Sequence, residues 1–282
     1  MTTTALPVRP VRTRNRYLAG LLTPRGLTGL ALVGAVLLAW LLTPLLTGTD
    51  PTAQGPDALA APSAAHPLGT DDLGRDLLSR VLHGIGTSLS ITLTAVPLGA
   101  ALGVALALLA ATSRWADLAV QRWFDLVLAF PGLILAIAVT AALGPGRWPV
   151  IVVITLAEIP GFGRQLRAGI AAQRERDYAL AARIGGASRT RVLLRHVLPN
   201  AVDPLVVQAA VSLSLAVFIE GAMSFLGVGI RPPEPSLGGI LSQSMAYLAT
   251  HPAFAAAPLL VVTALVLGFT LIAEALNRGI RR

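Results

Sequence analysis

The 282-residue chain contains no cysteine and no lysine. Without cysteine there is no disulfide, no thiolate metal site and no cysteine nucleophile. Without lysine there is no G-x-x-x-x-G-K-[ST] phosphate loop, so ATP hydrolysis by that route is excluded and any ATP must be used by another subunit. Charge is scarce too, at 13% of residues, and aromatic residues make up 5%. No H-E-x-x-H or G-x-S-x-G motif occurs, and no histidine lies within a few residues of an intramembrane nucleophile, so the inventory argues against an enzyme.

What the chain has in quantity is apolar surface: 54% of residues are hydrophobic and the mean hydropathy is +0.71, which places it in the membrane class. Six apolar blocks are candidates for the requirement of about 20 residues per spanning helix. They cover 27–46, 87–112, 124–143, 148–163, 204–228 and 253–276. The pattern predicts an all-α membrane protein with six transmembrane helices. Residues 1–26 are then one tail, 47–86 a loop, 87–276 the core carrying spans two to six, and 277–282 a second tail. The fourth block is the weakest, being short and containing Glu158 and Pro160; a tilted bundle or a thin bilayer accommodates it. The first follows Arg9, Arg12, Arg14 and Arg16 as a signal peptide would, yet it is too long for an h-region. The nearest Ala-x-Ala lies well past its end at 58–60, so the reading is an uncleaved span.

The distribution of the net charge of +8 decides its meaning. With both termini inside, 18 of the 22 arginines fall on the cytoplasmic side, and only Arg75, Arg80, Arg147 and Arg231 fall opposite. That asymmetry is the positive-inside pattern and an attraction to anionic lipid headgroups, and it does not call for nucleic acid.

Eight of those arginines lie between 164 and 200. Within that stretch Asp177 is the expected cap of a first short helix with Tyr178, Ala181 and Ala182 on its apolar side. Gly185 and Gly186 end it, and Ser188 caps a second helix that runs to Pro199. A DNA-binding helix-turn-helix has the same outline but needs a third helix in an aqueous domain, for which the chain has no room. The segment resembles the cytoplasmic coupling loop of ABC importer permeases, which docks into a cleft of the ATPase subunit. That loop reads Glu-Ala-Ala, then Gly after three residues, then Ile-x-Leu-Pro after nine more. Here Ala181, Ala182, Gly186 and Leu198-Pro199 match, while Leu180 and His196 depart. The string Asp177-Tyr178-x-x-Ala181-Ala182-Arg183-x-x-Gly186-Ala187-Ser188 is similar to the peptide and nickel branch.

A second string, 66–80, resembles the signature before the second span in dipeptide, oligopeptide and nickel permeases. Physically, Thr70 or Asp71 is expected to cap an interfacial helix with Leu73, Leu77, Leu78, Val81 and Leu82 in one stripe. His66, Asp71, Asp72, Asp76 and His83 match no metal-loop spacing, so no metal site is assigned. Glu220 is the one acid deep inside a span and is expected to face inward, as pathway or as packing. The string around it resembles the fifth span of the same permeases, where an acid stands at this place. Glu158 and Glu274 are expected near cytoplasmic ends. Pro97, Pro131-Gly132, Pro160 and Pro258 mark expected kinks or hinges, and Gly99-x-x-x-Gly103 is a packing notch or a gating element. The prolines of 232–235 exclude helix there, and a short amphipathic helix is expected between them and His251.

The resemblance covers nearly all of the chain beyond residue 25 and implies a type I ABC importer permease in the cytoplasmic membrane. Its implied partners are a second permease subunit, two ATPase subunits carrying ATP and Mg, and an exterior substrate-binding protein, with no cofactor on this chain. The implied cargo is a di- or oligopeptide, or alternatively nickel; the absence of a His or Cys ligand set in the spans favours peptide. A secondary transporter would show inverted repeats and midplane ion ligands, and neither is visible.

Overall fold

A computed structural model describes residues 14–281. Among them there is no strand, and the helices in chain order are α1 (Arg14–Leu21), α2 (Pro24–Leu41), α3 (Thr43–Leu46), α4 (Leu77–Ala110), α5 (Arg114–Ala129), α6 (Gly132–Leu143) and α7 (Arg147–Arg174). After α7 come α8 (Asp177–Ile184), α9 (Arg189–Val192), a π-helical turn (Leu193–Val197), α10 (Leu198–Ala201), α11 (Asp203–Phe225), α12 (Leu237–Ser244) and α13 (Pro252–Arg281). Five of these, α2, α4, α7, α11 and α13, are long and apolar enough to cross a membrane, and α5 with α6 gives a sixth crossing if the pair counts as one bent span. Helices are the economical answer here because a spanning segment must satisfy its backbone polar groups internally. Residues 1–13 and 282, including Arg9 and Arg12 of the expected tail, lie outside the described residues.

Several boundaries differ from expectation. The tail before the first span is partly helical: α1 packs on α13, and Tyr17 Oη donates to Asp203 Oδ1 at 2.7 Å. Burial, then that hydrogen bond, pushes the Tyr17 hydroxyl up to about 12. The second span begins at Leu77, ten residues before the apolar block. No separate interfacial helix exists at 70–82; Leu77, Val81 and Leu82 are buried in the bundle. At the far end α13 runs on through the expected tail to Arg281.

Proline acts differently by position. α4, α7 and α13 run unbroken through Pro97, Pro160 and Pro258, as membrane helices can when neighbours satisfy the freed groups. The third span breaks at Pro131, where α5 and α6 meet at 91°. Phe130 there is extended (φ −84°, ψ 125°), the conformation a following proline imposes.

The fourth span, weakest by hydropathy, is the centre of the bundle. In α7 67% of the spanning window is buried, against 22% in α2. Its largest interface is with α4, and the glycines of α4 make that interface close. A Cβ at Gly99 would sit 2.8 Å from Glu158 Cβ, and one at Gly103 would sit 2.6 Å from the Ile159 carbonyl oxygen. The Gly99-x-x-x-Gly103 spacing is therefore a packing notch. Glu158, expected at a membrane edge, is 4% exposed in the middle of α7 and accepts a hydrogen bond from Ser212 of α11. The expectation failed because the helix extends eleven residues beyond the apolar block, to Arg174.

Candidate functional site

The segment that joins α7 to α11 is built as a platform with one buried and one open face. Ala179, Val192, Val197 and Ala201 pack with Ala107 of α4 and Leu166 and Ile170 of α7. The opposite face carries Leu180 (54% exposed) and Ile184 (80% exposed), apolar side chains on a helix outside the bundle. Tyr178 and Ala181 are also exposed, whereas Ala182 is half-buried. The predicted grouping of Tyr178, Ala181 and Ala182 on one apolar side is thus corrected. In an eight-residue, alanine-rich helix, Ala179 and Ala182 turn inward and Ala181 turns out.

The N-terminus of α8 is also not as expected. Arg176 is the capping position and makes no side-chain cap bond; Asp177 sits in the first turn, exposed. Its charge favours that end through the helix dipole rather than as a cap. Tyr178 Oη donates to Gln173 Oε1 at 2.7 Å, and Arg183 Nη2 donates to the Arg174 carbonyl at 3.3 Å, so α8 is laced back to the end of α7.

The C-terminus of α8 is tightly specified. Ala187 N–H donates to the Ala182 carbonyl at 3.0 Å and Gly186 N–H to the Arg183 carbonyl at 3.0 Å. This 6→1 and 5→2 pair is a Schellman motif, which needs a left-handed residue in the penultimate place. Gly186 supplies it with φ +83°, whereas Gly185 has φ −71° and needs no such freedom. Ser188 then caps α9, its Oγ accepting from Arg191 N–H at 3.3 Å. Pro199 does not close the second helix as predicted. The path continues through the π-helical turn into α10, where Pro199 is the second residue.

Glu220 is 1% exposed in α11 and faces α4. Ser88 Oγ and Ser224 Oγ donate to its carboxylate at 2.5 and 3.0 Å, and Ser224 Oγ accepts from Ile230 N–H at 3.2 Å. The inward direction was legible in the sequence, and Ser224 follows at helical spacing; nothing marked Ser88.

At the opposite end of the bundle, the 66–80 string folds into a charge cluster where the sequence predicts an interfacial helix. Asp71 is fully buried. Its Oδ2 meets Arg75 Nε at 2.7 Å and Arg80 Nη1 at 2.9 Å, while its Oδ1 accepts from the backbone N–H groups of Leu73 and Arg75 at 2.9 Å. Arg80 Nη2 also reaches Gln243 Oε1 of α12 at 3.1 Å. Thr70 and Asp71 are therefore not caps. Asp76 caps α4, accepting from Ser79 N–H at 2.7 Å, and its other oxygen lies 2.9 Å from His66 Nδ1. The helix expected before His251 is α12, with Leu237 and Ile240 buried against its neighbours.

Residues 99–282 match the family model described as binding-protein-dependent transport system inner membrane component. A permease protein of Brucella suis biovar 1 named for peptide transport is 39% identical over 220 residues, covering 78% of this chain and 74% of that protein. The dipeptide transport system permease protein of Alkalihalophilus pseudofirmus is 35% identical over 202 residues, 71% of this chain and 66% of its own length. A glutathione transport system permease protein of Escherichia coli O6 is 39% identical, over 71% of this chain and 67% of its own. Among solved structures, an inward-facing methionine ABC transporter aligns with a TM-score of 0.57 at 21% identity, over 72% of this chain and 95% of that one, which shows a shared fold. With the family model spanning the core of the bundle and the loop, the chain belongs to the binding-protein-dependent transport system inner membrane components, the permease subunits of ABC importers.

Proposed function

We propose that this permease moves short peptides into the cell as one half of a pore, paired with a second permease subunit, fed by an exterior binding protein and driven by two ATPase subunits. Both termini and the 164–200 loop are on the cytoplasmic side in this reading, because 18 of 22 arginines then lie inside. The observation that carries it is the open face of α8: exposed Leu180 and Ile184 on a helix fixed by a Schellman turn and laced to α7. An exposed apolar face on a rigid short element is a surface made for a partner. Asp177, Tyr178, Ala181, Arg183, Ala187 and Ser188 border that face and would meet the ATPase cleft, with Ala182, Gly186 and Pro199 fixing the shape behind it. Nucleotide and Mg belong to those partners.

Peptide as cargo is supported by relatives named for peptide, dipeptide and glutathione transport. ATP binding would draw the loops of the two permease subunits together and rock the bundles, opening the path to the other side. Deletion should abolish growth on a dipeptide supplying a required amino acid, and growth at the wild-type rate would reject the assignment. Single cysteines at Ser63, Arg189 and Thr250, all exposed, test the orientation in this cysteine-free chain. Labelling of Arg189 from outside the cell is the result that overturns it.

A further inference from the structure

A cavity of about 430 Å³ lies where the end of α4 turns into α5 and both meet the last turns of α7. Arg114, Arg167, Arg174 and Arg189 line it together with a single acid, Asp117. That acid is taken: Arg167 Nε and Nη2 donate to its two oxygens at 2.6 and 2.8 Å. Arg174 reaches only the Ala111 carbonyl, at 3.4 Å. Among the described residues no carboxylate pairs with Arg114, Arg174 or Arg189, so three positive charges border one volume without a counter-charge.

Gathering like charges is unfavourable unless an anion joins them. Ser113 Oγ already accepts from Ala116 N–H at the start of α5, so guanidinium groups rather than backbone amides are the donors on offer. Beside the cavity, Leu109, Trp115 and Leu118 are 52%, 81% and 42% exposed. Exposed apolar side chains and a tryptophan at the end of a span are suited to the level of lipid headgroups. The occupant must therefore be an anion, and the adjoining apolar surface favours one that carries hydrocarbon.

We propose that this cavity binds the phosphate headgroup of an anionic phospholipid. Arginine forks match phosphate oxygens in pairs, and basic pockets between spanning helices are suited to such headgroups. The cavity size fits a headgroup with a few waters. Inorganic phosphate shares the chemistry but makes no use of the apolar rim. The orientation proposed above enters only in saying which leaflet supplies the lipid.

The test reconstitutes the intact transporter complex in nanodiscs of phosphatidylglycerol and phosphatidylcholine in equal parts and counts retained phosphatidylglycerol by native mass spectrometry. The wild type should retain phosphatidylglycerol that the triple variant Arg114→Gln, Arg174→Gln, Arg189→Gln loses. Retention should fall by about tenfold for each arginine removed. Arg114→Gln alone guards against misfolding, because Arg114 is exposed and holds no described side chain. Equal retention by wild type and both variants overturns the proposal. Displacement of the lipid by millimolar inorganic phosphate assigns the site to the free anion instead. Loss of the ATPase subunits with lipid retention unchanged assigns the arginines to a protein partner. Retention does not depend on which side faces out, so a reversed labelling pattern would move the site to the other leaflet without removing it.

Discussion

At the end of the bundle formed by residues 66–80 and α12, Arg75 and Arg80 are 2% and 1% exposed and close on the buried carboxylate of Asp71. At the other end, Arg25 meets Glu274 with both side chains about half exposed, and Leu180 and Ile184 of α8 point into solvent. The same residue types are locked in one place and left open in the other. Buried charges are tolerable when they are paired within the chain, and here one carboxylate serves both guanidinium groups, although Arg80 Nε finds no hydrogen-bond partner. The open end is ordered along its inner face and unfinished along its outer one.

The largest test of that contrast is removal of the shared carboxylate. Asp71→Ala strands two buried guanidinium groups, and the expected cost is about 3–5 kcal/mol. Thermal unfolding of the detergent-purified protein should show a large drop or no folded protein at all; an unchanged transition would mean that the cluster is not what holds α4 to α12. Tryptophan substitutions on the two faces of α8 come next. Ala179 is fully buried, so Ala179→Trp should overpack the inner face at about 1–3 kcal/mol. Ala181→Trp should leave stability within about 0.5 kcal/mol yet remove the ATPase subunits on copurification. If both variants keep their ATPase, the open face is not the docking surface.

Gly186→Val tests the turn behind that face. Forcing a β-branched residue to φ +83° should cost roughly 1–2 kcal/mol of local strain, enough to weaken docking by about tenfold. Peptide uptake in vesicles should fall while thermal stability changes little, and Gly186→Asn should fall less. The smallest effect is expected at the exposed pair: Arg25→Gln should shift stability by about 0.2–1 kcal/mol. A shift as large as that of Asp71→Ala would erase the distinction between the two ends.

Six apolar blocks, the Gly186 turn, the Ser188 cap and the inward Glu220 could be read from the residues alone, because each rests on local chemistry or on a run of one character. The break at Pro131 was readable as well, but it could not be told apart from Pro97, Pro160 and Pro258. Whether a proline breaks a helix is decided by the neighbours around it, and these lie far away in sequence. The face of α8 was misassigned because Tyr178, Ala179, Ala181 and Ala182 offer too little contrast to define a stripe. The Asp71 cluster was missed for a different reason: a row of charges next to a span looks solvated until Gln243, 163 residues beyond Arg80, closes over it. Burial in a membrane protein also inverts the usual signal, since the most apolar helices are those that meet lipid.

That inversion bears on how the chain enters the membrane. α7 is the least apolar of the spanning helices and carries Glu158, Arg164 and Arg167. An acidic side chain such as Glu158 near the middle of a lone helix makes its release into lipid unfavourable, by about 2.5–3.5 kcal/mol at the helix centre, whereas Arg164 and Arg167 lie toward its C-terminal end. α4, with its glycine notch, precedes α7 in the chain and offers the surface against which Glu158 lies. The expected consequence is an ordered biogenesis, in which α4 waits at the translocon and α7 leaves only in its company. Glycosylation mapping of truncated chains should show α7 inserting efficiently behind α4 and poorly without it, and equal insertion in both would remove the dependence. On that expectation, the notch at Gly99 and Gly103 would act as a chaperone built into the polypeptide before there is any pore to pack.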